Sequence, residues 1–185
     1  MPPKHWKILS SKRDRSYRVF NLRTDRAQSP RTGGDHNFFV LESPQWVNVI
    51  PLTPDNEVVM INQYRHGIRQ VTLEIPGGLI EMGDTPEGAA RRELREETGY
   101  DCTDVVFLGS VHPNPAIQNN DCYTYLARNA FHAGSQEQDD KEDIEVVLYP
   151  LSEIPRLIHE GFITHSLVIA AFYRLFMEYF SYASK

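Results

Sequence analysis

Two cysteines in 185 residues, Cys102 and Cys122, allow one disulfide at most. That excludes a disulfide-stapled secreted scaffold, and two buried thiols in a reducing, cytoplasmic setting are the expectation. Long apolar runs are also missing. The longest uncharged one near the C-terminal end, Leu167–Tyr173, falls far short of the roughly 20 residues that a membrane-spanning helix needs. The opening Met-Pro-Pro-Lys-His-Trp holds no apolar signal core. No internal period of roughly 20–50 residues is present, so repeat architectures are excluded. The histidines stand at no zinc-ligand spacing with the cysteines. No helix-turn-helix or aromatic RNA-binding pattern accompanies the basic residues, and neither nucleic acid nor membrane is an expected partner. What is present is a core: 41% apolar and 11% aromatic residues suffice for one globular domain with a short appendage.

Charge is distributed unevenly. Residues 1–32 hold nine Lys and Arg against Asp14 and Asp25, whereas residues 81–97 hold six acids against three arginines. A second acidic stretch, residues 137–145, sets six acids against Lys141.

Turn signals divide the first third into strands at His5–Ser10, Ser16–Thr24 and Asn37–Glu42. Trp46–Leu52 and Glu57–Tyr64 read as a hairpin across Thr53-Pro-Asp-Asn56. Gln70–Ile75 is a further strand, halted by Pro76-Gly77-Gly78. The period then changes to that of a helix over Pro86–Thr98, with Thr85 to cap it, Pro86 at its first position and Gly99 at its end. Val105–Val111, Cys122–Arg128 and Ile144–Leu148 return to strand pattern, and Ser152–His159 and His165–Tyr182 read as helices. Strands on both sides of helices without regular alternation predict an α+β fold with a mixed sheet. The one boundary falls near residue 45, dividing an N-terminal antiparallel strand extension, 1–45, from the main domain, 46–185.

The Pro86–Thr98 helix carries a conflict. Glu93, Glu96 and Glu97 lie on neighbouring positions of one face, where like charges repel by a few tenths of a kcal/mol per pair. Glu96 and Glu97 also stand in the last turn, where the helix dipole disfavours anions. Two readings relieve that conflict: a solvated face with pairs such as Arg92–Glu96 and Glu87–Arg91, or a hard divalent cation, Mg²⁺ or Mn²⁺, which selects clustered carboxylate oxygens. The preceding Pro76-Gly77-Gly78 turn lets the backbone approach closely and offers carbonyl oxygens.

Taken as one unit, Gly78–Tyr100 resembles the Nudix box, G-x5-E-x7-R-E-U-x-E-E-x-G-U with U a bulky apolar residue. Gly78, Arg92, Glu93, Leu94, Glu96, Glu97, Gly99 and Tyr100 match at the required spacing. Asp84 stands where the family has Glu. A chance match of this specificity anywhere in the chain is of order one in a million.

The resemblance implies a Nudix-type α/β/α sandwich and metal-dependent hydrolysis of a nucleoside diphosphate linked to another moiety. It implies Mg²⁺, with Mn²⁺ a possible substitute, held by Glu93, Glu97, Glu96 and the Gly77 carbonyl, with Arg92 holding the carboxylates in place. Leu73–Glu81, Gln63-Tyr64-Arg65 and Pro115 are similar to segments of the ADP-ribose and nucleoside-diphosphate-sugar pyrophosphatases. By that likeness Glu142 is the expected metal-contacting or general-base carboxylate, with Asp140 as its substitute. Arg65 is a phosphate contact, Pro115 lies near substrate, and Glu74 either binds ribose hydroxyls or simply ends a strand. ADP-ribose is the leading substrate, giving AMP and ribose 5-phosphate. A nucleoside triphosphate pyrophosphohydrolase and a non-catalytic nucleotide-sugar sensor are the alternatives. Residues 1–45 are expected to form a homodimer interface, with Phe20, Phe38 and Phe39 at the contact, stacked on the substrate base, or in local packing.

Overall fold

The computed structural model describes residues 2–138 and 143–183, the last five of these by backbone alone. The chain forms two compact units, Met1–Pro44 with His112–Asn120, and Gln45–Val111 with Asp121–Lys185.

In the first unit, β1 (Lys7–Ser16), β2 (Asn21–Gln28) and β3 (Asp35–Glu42) form an antiparallel sheet in that order. The apolar pattern placed a strand from Ser16 onward. Instead Ser16 ends β1, and the Tyr17 N–H donates to the Phe20 carbonyl at 2.8 Å to turn the chain. β1 is exposed along all ten residues and polar from Ser10 onward, so hydrophobic periodicity carries no trace of its true extent. It is specified by pairing with β2 and by charge. Asp25, 8% exposed, accepts from Ser11 and Arg23, and Arg23 also donates to Glu42. The segment His112–Asn120 joins this unit through the Leu41 N–H to Ile117 carbonyl bond, at 2.7 Å.

The second unit is built on a seven-stranded mixed sheet. Its strands are β4 (Trp46–Leu52), β5 (Glu57–Arg65), β6 (Gln70–Glu74), β7 (Gly77–Leu79), β9 (Asp104–Val111), β10 (Cys122–Arg128) and β12 (Ile144–Pro150). The backbone order is β12-β5-β4-β10-β9, with β6 on β5 and β7 on β4. A short pair, β8 (Tyr100–Asp101) and β11 (Phe131–His132), lies apart from it. β4 and β10 run parallel, from Trp46 against Cys122 to Leu52 against Arg128, while the other pairs are antiparallel. Sequence reading found β4 and β10 at their observed bounds but missed this pairing, which joins segments more than 70 residues apart. Pro76-Gly77-Gly78 has the composition of a turn, yet Gly77–Leu79 pairs with β4 as β7.

Alternation of side chains across β4 produces two apolar layers. Val47 and Val49 face α1 (Pro86–Thr98), packing with Ala89, Ala90 and Leu94. Ile50 and Leu52 face α2 (Ile154–His159) and α3 (Ser166–Ala183), packing with Ile154, Val168, Phe172 and Leu175. The result is helix, sheet, helices in three layers, the α+β sandwich that the resemblance implies. The expected helix from Ser152 begins instead with a 3₁₀ turn, Leu151–Glu153, ahead of α2.

Candidate active site

Helix α1 has the predicted bounds because both ends are capped. The Thr85 side chain accepts from the Gly88 N–H at 3.0 Å, Pro86 occupies the first turn, and Gly99 closes the helix in the left-handed region at φ 71°. A Cβ at Gly99 would lie 2.2 Å from the Gly134 carbonyl oxygen, so the position excludes any side chain on contact as well as on φ.

The burial of α1 sorts its carboxylates. Glu93 is 8% exposed and Glu97 3% exposed, whereas the Glu96 side chain is more open. Glu97 accepts from the Gly77 N–H at 2.9 Å, which seats the β7 backbone on its carboxylate. A Cβ at Gly78 would fall 2.5–2.7 Å from all three atoms of the Glu93 carboxyl group. The two glycines therefore fit because neither has a side chain, and Gly77 is further confined by the Val47 carbonyl oxygen, 2.4 Å from any Cβ there.

Arg92 organises the open side of the cluster. One of its terminal nitrogens donates to Glu93 at 2.8 Å and Glu96 at 3.0 Å, and the other donates to the Leu79 carbonyl at 2.9 Å. Burial works against the guanidinium charge, but Glu93 and Glu96 outweigh it and raise the pKa further above the ordinary arginine value. Asp84 lies 3.3 Å from the Arg92 Nε. It thus contacts the arginine that gathers the carboxylates. Asp84→Glu, which restores the family residue, is expected to keep the hydrolysis rate within about threefold, because a half-exposed ion pair contributes little. Steady-state rates of the purified variant check this.

The donor set is all oxygen, with two nearly buried carboxylates and a third beside them, and that chemistry fits a hard divalent cation. Among the described residues no three acidic, histidine or cysteine side chains are already gathered as a cation cage. Arg92 holds Glu93 and Glu96 in the meantime. Glu142 and Asp140 lie outside the described residues.

Arg65 and Glu74 come together as neighbours on β5 and β6. Arg65 donates from Nε and a terminal nitrogen to the two Glu74 oxygens at 2.8 and 2.6 Å, and the Thr72 hydroxyl adds a bond at 2.5 Å. Glu74 is 2% exposed. Its oxygens thus accept from Arg65 and Thr72 inside the protein. Burial pushes the Glu74 carboxyl up, but Arg65 and Thr72 hold it below the usual glutamate range. A carboxylate with a depressed folded-state pKa contributes stability that is complete above its unfolded pKa, about 4.3. That stability is lost as pH falls through the folded value. Wild-type melting temperature should therefore drop more steeply below about pH 4.3 than that of Glu74→Gln, measured by thermal denaturation across pH.

His165 was not singled out as a site residue by sequence reading. Its Nδ1 accepts from the Leu167 N–H at 3.3 Å at the start of α3. Burial pushes its pKa down, with Glu74 opposing and Arg65 reinforcing that shift. Pro115 belongs to the first unit and is exposed.

Residues 43–172 match the NUDIX domain family. The chain belongs to the Nudix family. A Bacillus methanolicus relative, named methanol dehydrogenase activator, is 30% identical over 166 residues covering 89% of each chain. The ADP-ribose pyrophosphatase of Mycobacterium tuberculosis is 29% identical over 167 residues, covering 89% of this chain and 80% of its own. A crystal structure of an ADP compounds hydrolase superposes with a TM-score of 0.83 over 95% of this chain and 94% of the other, at 21% identity. The chain is accordingly a Nudix pyrophosphatase of the α+β Nudix fold, related to ADP-ribose pyrophosphatases. The Nudix box corresponds to β7, α1 and the connection between them.

Proposed function

We propose that this Nudix enzyme hydrolyses the diphosphate linkage of nucleoside diphosphate sugars, with ADP-ribose the leading substrate, to a nucleoside monophosphate and a sugar phosphate. The observation that carries the reading is the seating of Glu93 and Glu97 against Gly78 and Gly77. Two nearly buried carboxylates are fixed there at a backbone with no side chains in the way. Glu93, Glu96, Glu97 and the Gly77 carbonyl would hold Mg²⁺ or Mn²⁺, which when bound neutralises phosphate charge and lowers the pKa of a bound water. Arg92 keeps Glu93 and Glu96 aimed to one side. Glu74, itself held by the Thr72 hydroxyl, engages Nε and one terminal nitrogen of Arg65 and leaves the other terminal nitrogen to meet a phosphate oxygen. Glu142, or Asp140 in its stead, is assigned as the carboxylate that takes the proton from the attacking water.

A panel of nucleoside diphosphate sugars and nucleoside triphosphates, each incubated with enzyme and Mg²⁺ and then with phosphatase, tests the reading. Phosphate release is expected from ADP-ribose and its analogues. Release from the triphosphates alone would overturn the substrate class.

The partner assignment is a homodimer through the N-terminal strands. Trp6, Ile8, Leu9, Phe38 and Phe39 are exposed large apolar residues of the first unit, with Trp6 and Phe38 edge to face at 5.1 Å. A three-stranded sheet needs a hydrophobic face or a packing partner for its stability, and a second copy of the chain would cover these exposed side chains. Light scattering at micromolar concentration is expected to give twice the 21.3 kDa chain mass, and Phe39→Glu should shift the protein toward monomer. A monomeric wild type would remove the dimer and leave the chemistry assignment intact.

A further inference from the structure

The last turn of α1 is finished by a stretch of chain that no motif marks. A helix leaves its final carbonyls without partners inside the helix. Here the Ala133 and Gly134 N–H groups donate to the Gly99 carbonyl at 2.8 and 3.0 Å, and the Glu137 N–H donates to Glu96 at 2.8 Å. The Gln136 side-chain amide donates to the Glu97 carbonyl at 2.6 Å. This turn is the one weakened by its own anions, since Glu96 and Glu97 sit where the helix dipole is negative. The N–H donors of residues 133–137 return positive partial charge to that end.

The same Gln136 amide also reaches the Ile144 carbonyl at 3.3 Å. Gln138 then takes both main-chain groups of Ile144, donating to its carbonyl at 3.0 Å and accepting from its N–H at 3.2 Å. Ile144 is the first residue of β12, in register with Gln63 of β5. Two glutamines thus tie the carboxylate-bearing end of α1 to the sheet through the start of β12. Both side chains are half-buried, so water competes only partly for these bonds.

We propose that Gln136 is a positioning residue that acts through the main chain of Glu97, and that Gln138 supports it by anchoring Ile144, which Gln136 also bonds. They hold the last turn of α1 in register with β12, so that Glu96 and Glu97 keep their placement during turnover. The proposal rests on the reading that Glu97 serves the hydrolysis of nucleoside diphosphate sugars. A positioning defect of about 1 Å costs roughly 100-fold in rate.

The test compares the full-length wild type with Gln136→Met and Gln138→Met, each similar in length but unable to donate. Steady-state hydrolysis of ADP-ribose with Mg²⁺, amide hydrogen exchange and thermal melting are measured on all three. Exchange at the Ile144 amide is expected to quicken about tenfold in Gln138→Met, which removes its side-chain acceptor, and exchange at the Glu137 amide to quicken in Gln136→Met as the last turn of α1 loosens. The kcat should fall roughly 10- to 100-fold, with KM within about twofold and the melting temperature nearly unchanged. Wild-type exchange at both amides in the variants would overturn the clasp. Faster exchange with unchanged kcat would overturn its positioning role. A wild type that hydrolyses no nucleoside diphosphate sugar would fail the substrate reading instead, and exchange at Ile144 would then judge the clasp alone.

Discussion

Glu97→Gln is expected to fold as the wild type does and to lose activity by roughly 100- to 1000-fold, the scale seen when one preorganised charge partner is removed from a reacting centre. Glutamine has nearly the same volume, and its Oε1 can still accept from the Gly77 N–H that Glu97 engages at 2.9 Å. The packing of a side chain only 3% exposed is therefore kept. What is lost is one negative charge in the carboxylate cluster and with it the affinity for a divalent cation. Phosphate-release rates, read beside circular dichroism melts, check both halves of this expectation. A rate near wild type would remove Glu97 from the metal-binding set. In the wild type, chelator should abolish hydrolysis and added Mg²⁺ should restore it.

Gly78→Ala is the second large effect, and its cause is steric rather than chemical. The new methyl would sit 2.5 Å from one Glu93 oxygen and 2.7 Å from the other, so the carboxylate must move away. Because the obstructing group is the end of a flexible side chain, the fold should survive while Glu93 leaves its place. The expected result is a loss of roughly 100-fold in kcat with a melting temperature close to wild type. Gly77→Ala should behave differently. Its methyl would meet the Val47 backbone carbonyl at 2.4 Å, and a backbone oxygen held in the sheet cannot step aside, so that variant should lose stability as well. Unchanged kinetics in Gly78→Ala would show that the Glu93 placement does not matter to turnover.

The box was legible because its chemistry is local. Cap, helix and carboxylate spacing all sit within Thr85–Gly99, so periodicity and turn residues found α1 at its observed bounds. The buried strands β4 and β10, short apolar runs rich in β-branched and aromatic residues, were equally plain. The rest depends on pairing across distance. β1 is specified by its partner strand and not by its own apolar content. The Glu74–Arg65 pair follows from the β5–β6 register, in which Ile61 faces Glu74 and Arg65 faces Gln70. Neither residue's spacing announces the other. Gln136 and Gln138 are invisible for a further reason: glutamine has no strong positional signature, and the groups these two bond are main-chain atoms.

The parallel pairing of β4 with β10 has a consequence for how the protein comes off the ribosome. Residues 46–52 wait in the nascent chain until residues 122–128 have been made, several seconds at about 5–20 residues per second. α1 is synthesised within that interval, yet its apolar face packs on Val47 and Val49 from one strand and Tyr125 and Ala127 from the other. The helix bearing Glu93 and Glu97 thus acquires its full seat only when β10 arrives. A chain truncated before residue 122 would therefore carry the whole Nudix box without the strand that completes the seat of its helix.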